Sequence, residues 1–235
     1  MNQIILFEND FISETRVRLK DRRFRHLVDI HGAGLYDTLK VGKLNGLRGT
    51  GHIIELQDKY ALMEVTLDTP PPEALPVTLV LALPRPKTLK KVLHCASTMG
   101  IKNIYLIRSW RVEKSYWQSP LLSPDTIAEE LILGLEQARD TILPMVNLRP
   151  LFKPFVEDEL PSIAAGTLAL VAHPYESHSC PRNVTTPVTL AIGPEGGFIP
   201  YEIDLLKQTG FVPVELGERI MRVEYALPVI LGRLF

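Results

Sequence analysis

The hydrophobic pattern divides the chain into two parts with different periods. Before residue 68, apolar residues alternate with polar ones over short runs at 3–7, 51–56 and 61–67. Alternation of this kind is typical of half-buried β-strands, and the last two runs flank a polar tetrapeptide, which predicts a hairpin. The segment 22–28 fits either a short helix or a strand. Residues 1–70 are therefore predicted to form a small all-β barrel.

After a proline-rich segment, buried strands alternate with helices. Four prolines between Asp68 and Pro76 indicate a stiff, extended linker over residues 71–76. Fully apolar strands separated by helices indicate an α/β domain with a mostly parallel sheet over residues 77–235. The predicted strands are 77–83, 104–107, 168–172, 188–192 and 211–216, and the predicted helices are 87–99, 125–135, 201–209 and 225–234.

The composition is that of an ordinary globular protein. Hydrophobic residues make up 46% of the 235 residues and charged residues 23%, which excludes disordered and fibrous classes. Apolar runs fall short of the ~20 residues of a membrane-spanning helix, and the start of the chain lacks a signal-peptide pattern. Two cysteines cannot build a disulfide framework or a four-cysteine zinc site. We therefore expect a reduced, cytoplasmic protein with no bound metal and no membrane association.

Positive charge is concentrated near the start of the chain although the formal net charge is −1. Residues 16–25 contain six arginines and lysines and one aspartate. Such a strip is either a solvated basic face or a surface that contacts nucleic-acid phosphates, and composition does not decide between them. The candidate RNA-binding residues are Arg16, Arg18, Arg22, Arg23, Arg25 and His26.

Two loops follow predicted parallel strands, at the edge where ligands bind in open α/β sheets. In the loop 192–198, three glycines allow the backbone to approach a ligand closely, although a tight structural turn is the alternative. Phe198 follows them where a phosphate-binding Walker loop would have Lys and then Ser or Thr. His173, after another strand, fits a general base, a metal ligand or, more simply, a satisfied loop side chain.

A third loop, residues 216–224, mixes apolar and charged side chains between a buried strand and the last helix. Its apolar members would wall a pocket. Arg219, Arg222 and Glu224 would either pair with one another or face an anionic substrate.

Together, Ile-Gly-Pro-Glu-Gly-Gly-Phe at 192–198 and Leu-Gly-Glu-Arg-Ile-Met-Arg-Val-Glu at 216–224 resemble the paired signatures of the SPOUT methyltransferases. More narrowly, they are similar to the RsmE-type 16S rRNA (uracil-N3)-methyltransferases. The resemblance extends over almost the whole chain, through Met99-Gly100-Ile101, Arg111, Glu136-Gln137 and His173-Pro174 in the family's order.

The resemblance implies a PUA-like RNA-binding barrel followed by a SPOUT domain with a C-terminal trefoil knot. It implies S-adenosyl-L-methionine as cofactor, the 16S rRNA of the small ribosomal subunit as substrate, and a homodimer with the active site at the subunit interface. Arg222 or Arg111 would stabilise the uracil anion, and Glu224 would accept its proton or hold an arginine. The implied cofactor pocket contains Leu170, His173, Ile192, Gly193, Pro194, Glu195, Gly196, Gly197, Leu216, Gly217, Ile220, Met221, Arg222 and Ala226.

Three residues depart from the family's usual pattern, namely Thr98, Asp140 and Tyr225. They motivate an alternative hypothesis, a catalytically inactive RNA-binding or ribosome-assembly factor with the same fold. A further alternative is a different nucleotide-binding α/β enzyme, which would lack a knot around the loops.

Overall fold

The computed structural model describes residues 2–175 and 178–235, which form two compact units. Unit 1 contains the chain up to Glu73 together with Ile132–Leu143, and unit 2 contains Ala74–Leu131 and Pro144–Phe235. The sequence pattern assigned the whole of 77–235 to one domain. The structure places Ile132–Leu143 in unit 1 because the side chains of Ile132 and Leu135 pack against Ile5 in a buried cluster.

Unit 1 contains a six-stranded mixed sheet, the helix α1 and the C-terminal part of the helix α3 (Pro124–Ala138). In the order β1-β4-β5-β6-β3-β2, the first pair of strands is parallel and the other pairs are antiparallel. The predicted hairpin is confirmed as β5 and β6. The segment at 22–28, for which helix and strand were both open, is a helix, and the Asp21 side chain caps its start by accepting a hydrogen bond from the Arg23 amide. The elements are β1 Ile4–Leu6, β2 Phe11–Ser13, β3 Arg16–Leu19, α1 Arg22–Asp29, β4 Thr38–Lys43, β5 Arg48–Leu56 and β6 Ala61–Thr69.

Unit 2 contains a seven-stranded parallel sheet, as the apolar strands predicted. Its order is β11-β13-β10-β12-β7-β8-β9. The central strands β7 and β12 are buried on both faces, which is why they read as continuous apolar runs. The strands are β7 Val77–Ala82, β8 Asn103–Ile107, β9 Met145–Arg149, β10 Leu168–Ala172, β11 His178–Ser179, β12 Val188–Ile192 and β13 Val212–Glu215.

Helices connect these strands. A π-helical segment, Phe155–Glu159, separates two short helices in a region for which the sequence pattern predicted no helix. Within the described part of the chain, no helix is long and apolar enough to cross a membrane. The helices are α2 Pro86–Thr98, α3 Pro124–Ala138, α4 Phe152–Pro154, α5 Leu160–Ala164, α6 Pro200–Gln208 and α7 Val223–Leu234.

Candidate functional site

The three loops singled out in the sequence leave the sheet of unit 2 side by side. Ala172 at the end of β10 is in register with Ile192 of β12 and with Val214 of β13. The chain beyond each strand therefore emerges at the same carboxyl edge, where an open α/β sheet binds its ligand. A cavity of about 630 Å³ opens there, within the usual size of a small-molecule site.

The glycine-rich loop closes tightly around its own backbone. The Gly197 amide donates to the Pro194 carbonyl oxygen at 2.7 Å, and Gly197 has a φ of 70°. A Cβ on Gly193 would lie 3.1 Å from the Phe198 nitrogen and 3.2 Å from the Gly197 carbonyl carbon. Backbone atoms cannot rotate aside as a side chain can. A side chain at position 193 would therefore push this backbone apart by a few tenths of an ångström, and the left-handed φ of Gly197 favours glycine at position 197.

Gly196 is crowded for a different reason. A Cβ there would meet the Arg111 side chain, with Cδ at 3.0 Å. This neighbour is flexible and can shift. The strain expected from a larger residue at 196 is therefore smaller than at 193, and it falls on Arg111 first.

Arg111 lies in a turn anchored to the start of α6. The Val112 amide donates to the Ser109 carbonyl oxygen at 3.1 Å, and the Arg111 guanidinium donates to the Gly196 carbonyl oxygen. Glu202, only 2% exposed, accepts from the Trp110 amide at 2.7 Å and from the Ile199 amide at 2.9 Å. One buried carboxylate thus connects the Arg111 turn to the end of the glycine-rich loop.

Sequence reasoning missed Glu202. The available signal was its position three residues after the residue that precedes α6, where a glutamate commonly accepts from the backbone at a helix start.

Most of the predicted cofactor residues surround the cavity. Arg111, one of the two predicted catalytic cations, lines it as well. Tyr175, Asp204, Lys207 and Glu215 also line it, and no motif had marked them. The predicted cofactor residues that line it are His173, Ile192, Gly193, Pro194, Glu195, Gly196, Gly197, Leu216, Gly217, Ile220, Met221 and Ala226.

Three predicted residues lie outside the cavity lining. Leu170 is 2% exposed and packs in the core from the middle of β10. Arg222 precedes α7 and is exposed, while its carbonyl oxygen accepts from the Ala226 amide at 2.8 Å. Glu224 accepts from Lys91 at 3.4 Å.

The environment of Glu224 favours its ionised form. Its own backbone amide donates to the carboxylate, and this hydrogen bond, aided by the Lys91 ammonium, lowers the pKa of Glu224 below its ordinary value. A carboxylate with a lowered pKa is a weak proton acceptor at neutral pH. The geometry thus favours a holding role for Glu224 with Lys91 as its partner, where the sequence had suggested an arginine.

In unit 1 the basic strip separates into exposed and structural members. Arg23 is 2% exposed, and its guanidinium donates to Asp10 at 2.6 Å, to Asp21 at 2.6 Å and to the Ile5 carbonyl oxygen at 2.6 Å. Its prediction as a phosphate contact is corrected here, because its donors are already occupied inside the unit.

Arg22 forms a bidentate ion pair with Glu136, at 3.0 and 3.2 Å. Burial raises the pKa of the Glu136 carboxyl, and the Arg22 guanidinium offsets part of that effect.

The other members of the strip are more accessible. Arg16 and Arg25 are exposed, and Arg18 is half-buried with its guanidinium 5.2 Å from the centre of the Tyr60 ring. His26 is half-buried, and burial lowers its pKa. Arg16 and Arg25 therefore remain the members of the predicted set best placed for phosphate contacts.

A parallel α/β sheet with a glycine-rich loop and a mixed apolar and charged loop at one edge is an arrangement typical of domains that bind a small-molecule cofactor. The chain belongs to the family described as RNA methyltransferase domain, whose model matches residues 71–234. This match confirms the family predicted from the motifs.

Two relatives of the chain match nearly its full length. It is 28% identical over 231 residues to ribosomal RNA small subunit methyltransferase E of Treponema pallidum, covering 95% of this chain and 86% of that protein. It is 26% identical to methyltransferase E 1 of Borreliella burgdorferi, covering 96% and 94%. The solved structure of the Neisseria gonorrhoeae methyltransferase E bound to S-adenosyl methionine has a TM-score of 0.74 at 20% identity, covering 99% and 96%. That likeness establishes a shared fold.

Residues that could ligate a metal are dispersed. Across 2–175 and 178–235, no group of three or more His, Cys, Asp or Glu side chains is arranged to hold an ion.

Proposed function

We propose that this chain transfers a methyl group from S-adenosyl-L-methionine to N3 of a uridine in the 16S rRNA of the small ribosomal subunit. The observation that carries the proposal is the cavity formed by both signature loops at the carboxyl edge of the sheet. The names of the full-length relatives support the same assignment.

The cavity fits the cofactor chemically. Gly193 and Gly197 add no side chain to the cavity lining, and Ile192, Leu216 and Ile220 supply apolar walls for a flat adenine ring. Asp204 and Lys207 line the same cavity and could meet the polar methionine end. When bound, S-adenosyl-L-methionine supplies an activated methyl group, so the chain has to position it in line with N3.

The reaction also requires stabilisation of the uracil anion. N3 is a poor nucleophile until its proton is lost, and the resulting charge spreads onto O2 and O4. Arg111 is the residue best placed to face those oxygens, because it lines the cavity in an anchored turn. Arg222 is the second candidate, from an exposed position before α7. Glu224 holds Lys91 in this scheme, so the proton leaves by another acceptor or a water path.

We further infer the finer architecture that the family resemblance implied. Strand β13, although later in the chain, lies between β10 and β11, which supports a trefoil knot in this part of unit 2. Exposed Ile220, Tyr225 and Val229 next to the cavity loop support a homodimer that completes the active site. Unit 1, with exposed Arg16 and Arg25, would serve as a PUA-like RNA-binding module. A small-subunit rRNA substrate would support a cytoplasmic location.

The three departures from the family pattern leave the cavity residues unchanged. Thr98 ends α2, Tyr225 lies on the exposed side of α7, and Asp140 accepts from the Thr141 amide in unit 1. The cavity with its glycines intact favours the enzyme over the inactive RNA-binding factor.

Calorimetric titration with S-adenosyl-L-methionine tests the proposal, with methyl transfer to 16S rRNA as the second readout. We expect the wild type to bind and Gly193→Ala to lose affinity, because the added Cβ forces the loop open by a few tenths of an ångström. Gly232→Ala is the matched control, since a Cβ there meets nothing within 4 Å. Failure of the folded wild type to bind at millimolar cofactor would overturn the proposal and favour the RNA-binding factor.

A further inference from the structure

Trp110 is the most exposed large hydrophobic side chain among the described residues, at 80%. Tryptophan is enriched at binding interfaces, because its indole ring offers a wide apolar face that stacks on flat partners. Its position in the chain is specific, since the next residue, Arg111, lines the cavity. The exposed ring thus lies one residue from the wall of the candidate methyl-transfer site.

The backbone beneath this ring is held from three directions. Trp110 and Arg111 are the two central residues of the turn closed by the hydrogen bond from the Val112 amide to the Ser109 carbonyl oxygen. The Trp110 amide donates to the buried Glu202 carboxylate at 2.7 Å, and the Arg111 side chain donates to the Gly196 carbonyl oxygen. The indole therefore projects from a fixed turn and loses little entropy on binding a flat partner.

We propose that Trp110 is a stacking platform for a nucleobase of the RNA substrate, adjacent to the base that is methylated. The inference rests on the proposed function. RNA-modifying sites need unstacked bases, and an aromatic side chain replaces the stacking that a splayed base has lost. The cation of Arg111, one residue along the turn, adds electrostatic complementarity to the RNA backbone or to a base carbonyl.

A stacking contact has a signature that a phosphate contact lacks. Base–aromatic stacking is worth roughly 1–3 kcal/mol per base, or about 5- to 150-fold in affinity. Stacking releases no counterions, so its loss should leave the dependence of RNA affinity on salt unchanged. Trp110→Ala should accordingly weaken binding of 16S rRNA by about 5- to 150-fold at every salt concentration. Trp110→Phe should retain most of the affinity because it keeps a ring.

The experiment measures RNA affinity by filter binding over a series of salt concentrations. Met145→Ala is the matched control, because Met145 is 62% exposed at the start of β9, the opposite end of the strands from the cavity. A second measurement is tryptophan fluorescence. The chain has two tryptophans, so in the variant Trp117→Phe the tryptophan fluorescence comes from Trp110 alone. We expect 16S rRNA to quench that emission.

Three results would overturn the inference. They are wild-type RNA affinity in Trp110→Ala, a changed salt slope in that variant, and unquenched Trp110 emission when RNA is bound. Light scattering tests whether Trp110 instead contacts a second copy of the chain. If Trp110→Ala loses RNA affinity and also has a smaller assembly mass than the wild type, the ring belongs to a contact between copies. The proposed function fails separately, if the wild type does not bind S-adenosyl-L-methionine in calorimetry.

Discussion

Removal of the Arg23 guanidinium should destabilise unit 1 rather than weaken RNA binding. Arg23 is 2% exposed and donates to Asp10, to Asp21 and to the Ile5 carbonyl oxygen. Asp10 is itself 9% exposed, so in Arg23→Met its carboxylate would remain buried without its partner. Breaking one side of a buried ion pair costs about 3–5 kcal/mol. The Asp21 side chain is half exposed, so water compensates for most of its loss.

The assay is denaturant unfolding followed by far-UV circular dichroism, with Arg25→Ala as the matched control. Arg25 is an exposed arginine of the same helix, and its removal should change the free energy of unfolding by about 0.5 kcal/mol or less. Because the chain has two units, the midpoint of the unit 1 transition is the quantity to compare.

A second variant identifies the cause. If the loss comes from the stranded Asp10 carboxylate, then Arg23→Met combined with Asp10→Asn should recover part of the stability, since the amide carries no charge to bury. The reasoning is refuted if Arg23→Met unfolds like the wild type and instead lowers the salt dependence of RNA binding.

Three further predictions concern charge. Arg16→Ala with Arg25→Ala should reduce the slope of log K against log[salt] for 16S rRNA by about 0.7–0.9 per lost phosphate contact, and an unchanged slope in filter binding would remove both residues from the RNA-binding surface. Arg22→Ala should destabilise unit 1 more at pH 7 than at pH 4. Burial already raises the pKa of Glu136, and a group with a raised carboxyl pKa makes the folded state less stable as pH rises through that pKa. Loss of Arg22 strengthens this effect, so equal losses of unfolding free energy at both pH values would contradict the prediction. Arg111→Ala should lower the single-turnover rate constant for methylation at saturating RNA by about 100-fold if Arg111 stabilises the uracil anion. A wild-type rate constant in that assay would transfer the role to Arg222.

Periodicity in the sequence located the elements that bury one or both faces. The apolar runs of β7 and β12, the alternation in β5 and β6, and the helical spacing of apolar residues in α2 were predicted because each pattern is long enough to show its period. Strands β2, β3, β4, β9 and β11 were not predicted. Of these, β2 and β11 contain three and two residues and are largely exposed. Edge strands of this length are held by pairing with a neighbour, which leaves little trace in their own composition.

The basic strip shows a different limit of sequence reasoning. The sequence does not distinguish the six basic residues at 16–25 from one another, and only the fold shows which of them are buried and which are exposed. The partner of Arg23 is 13 positions away at Asp10, and that of Arg22 is 114 positions away at Glu136. The residue type predicts that each arginine can bind a phosphate. Whether its guanidinium is free to do so depends on contacts with residues far away in the sequence.

The glycine-rich loop itself explains why residues such as Glu202 accompany it. Glycines give the loop the approach that a ligand needs, but they also raise the entropy lost when the loop is ordered. Neighbouring loops offset that cost with hydrogen bonds. The Glu195 carboxylate accepts from the Arg85 amide at 3.0 Å, and Arg111 donates to the Gly196 carbonyl oxygen.

Glu202 then fixes the Arg111 turn to the residue that follows the loop. The side chains that order the pocket thus come from positions that no glycine motif includes. A pocket built from glycines is preorganised by its neighbours, and the same hydrogen bonds that fix the loop also fix Arg111, the arginine proposed to act on the substrate.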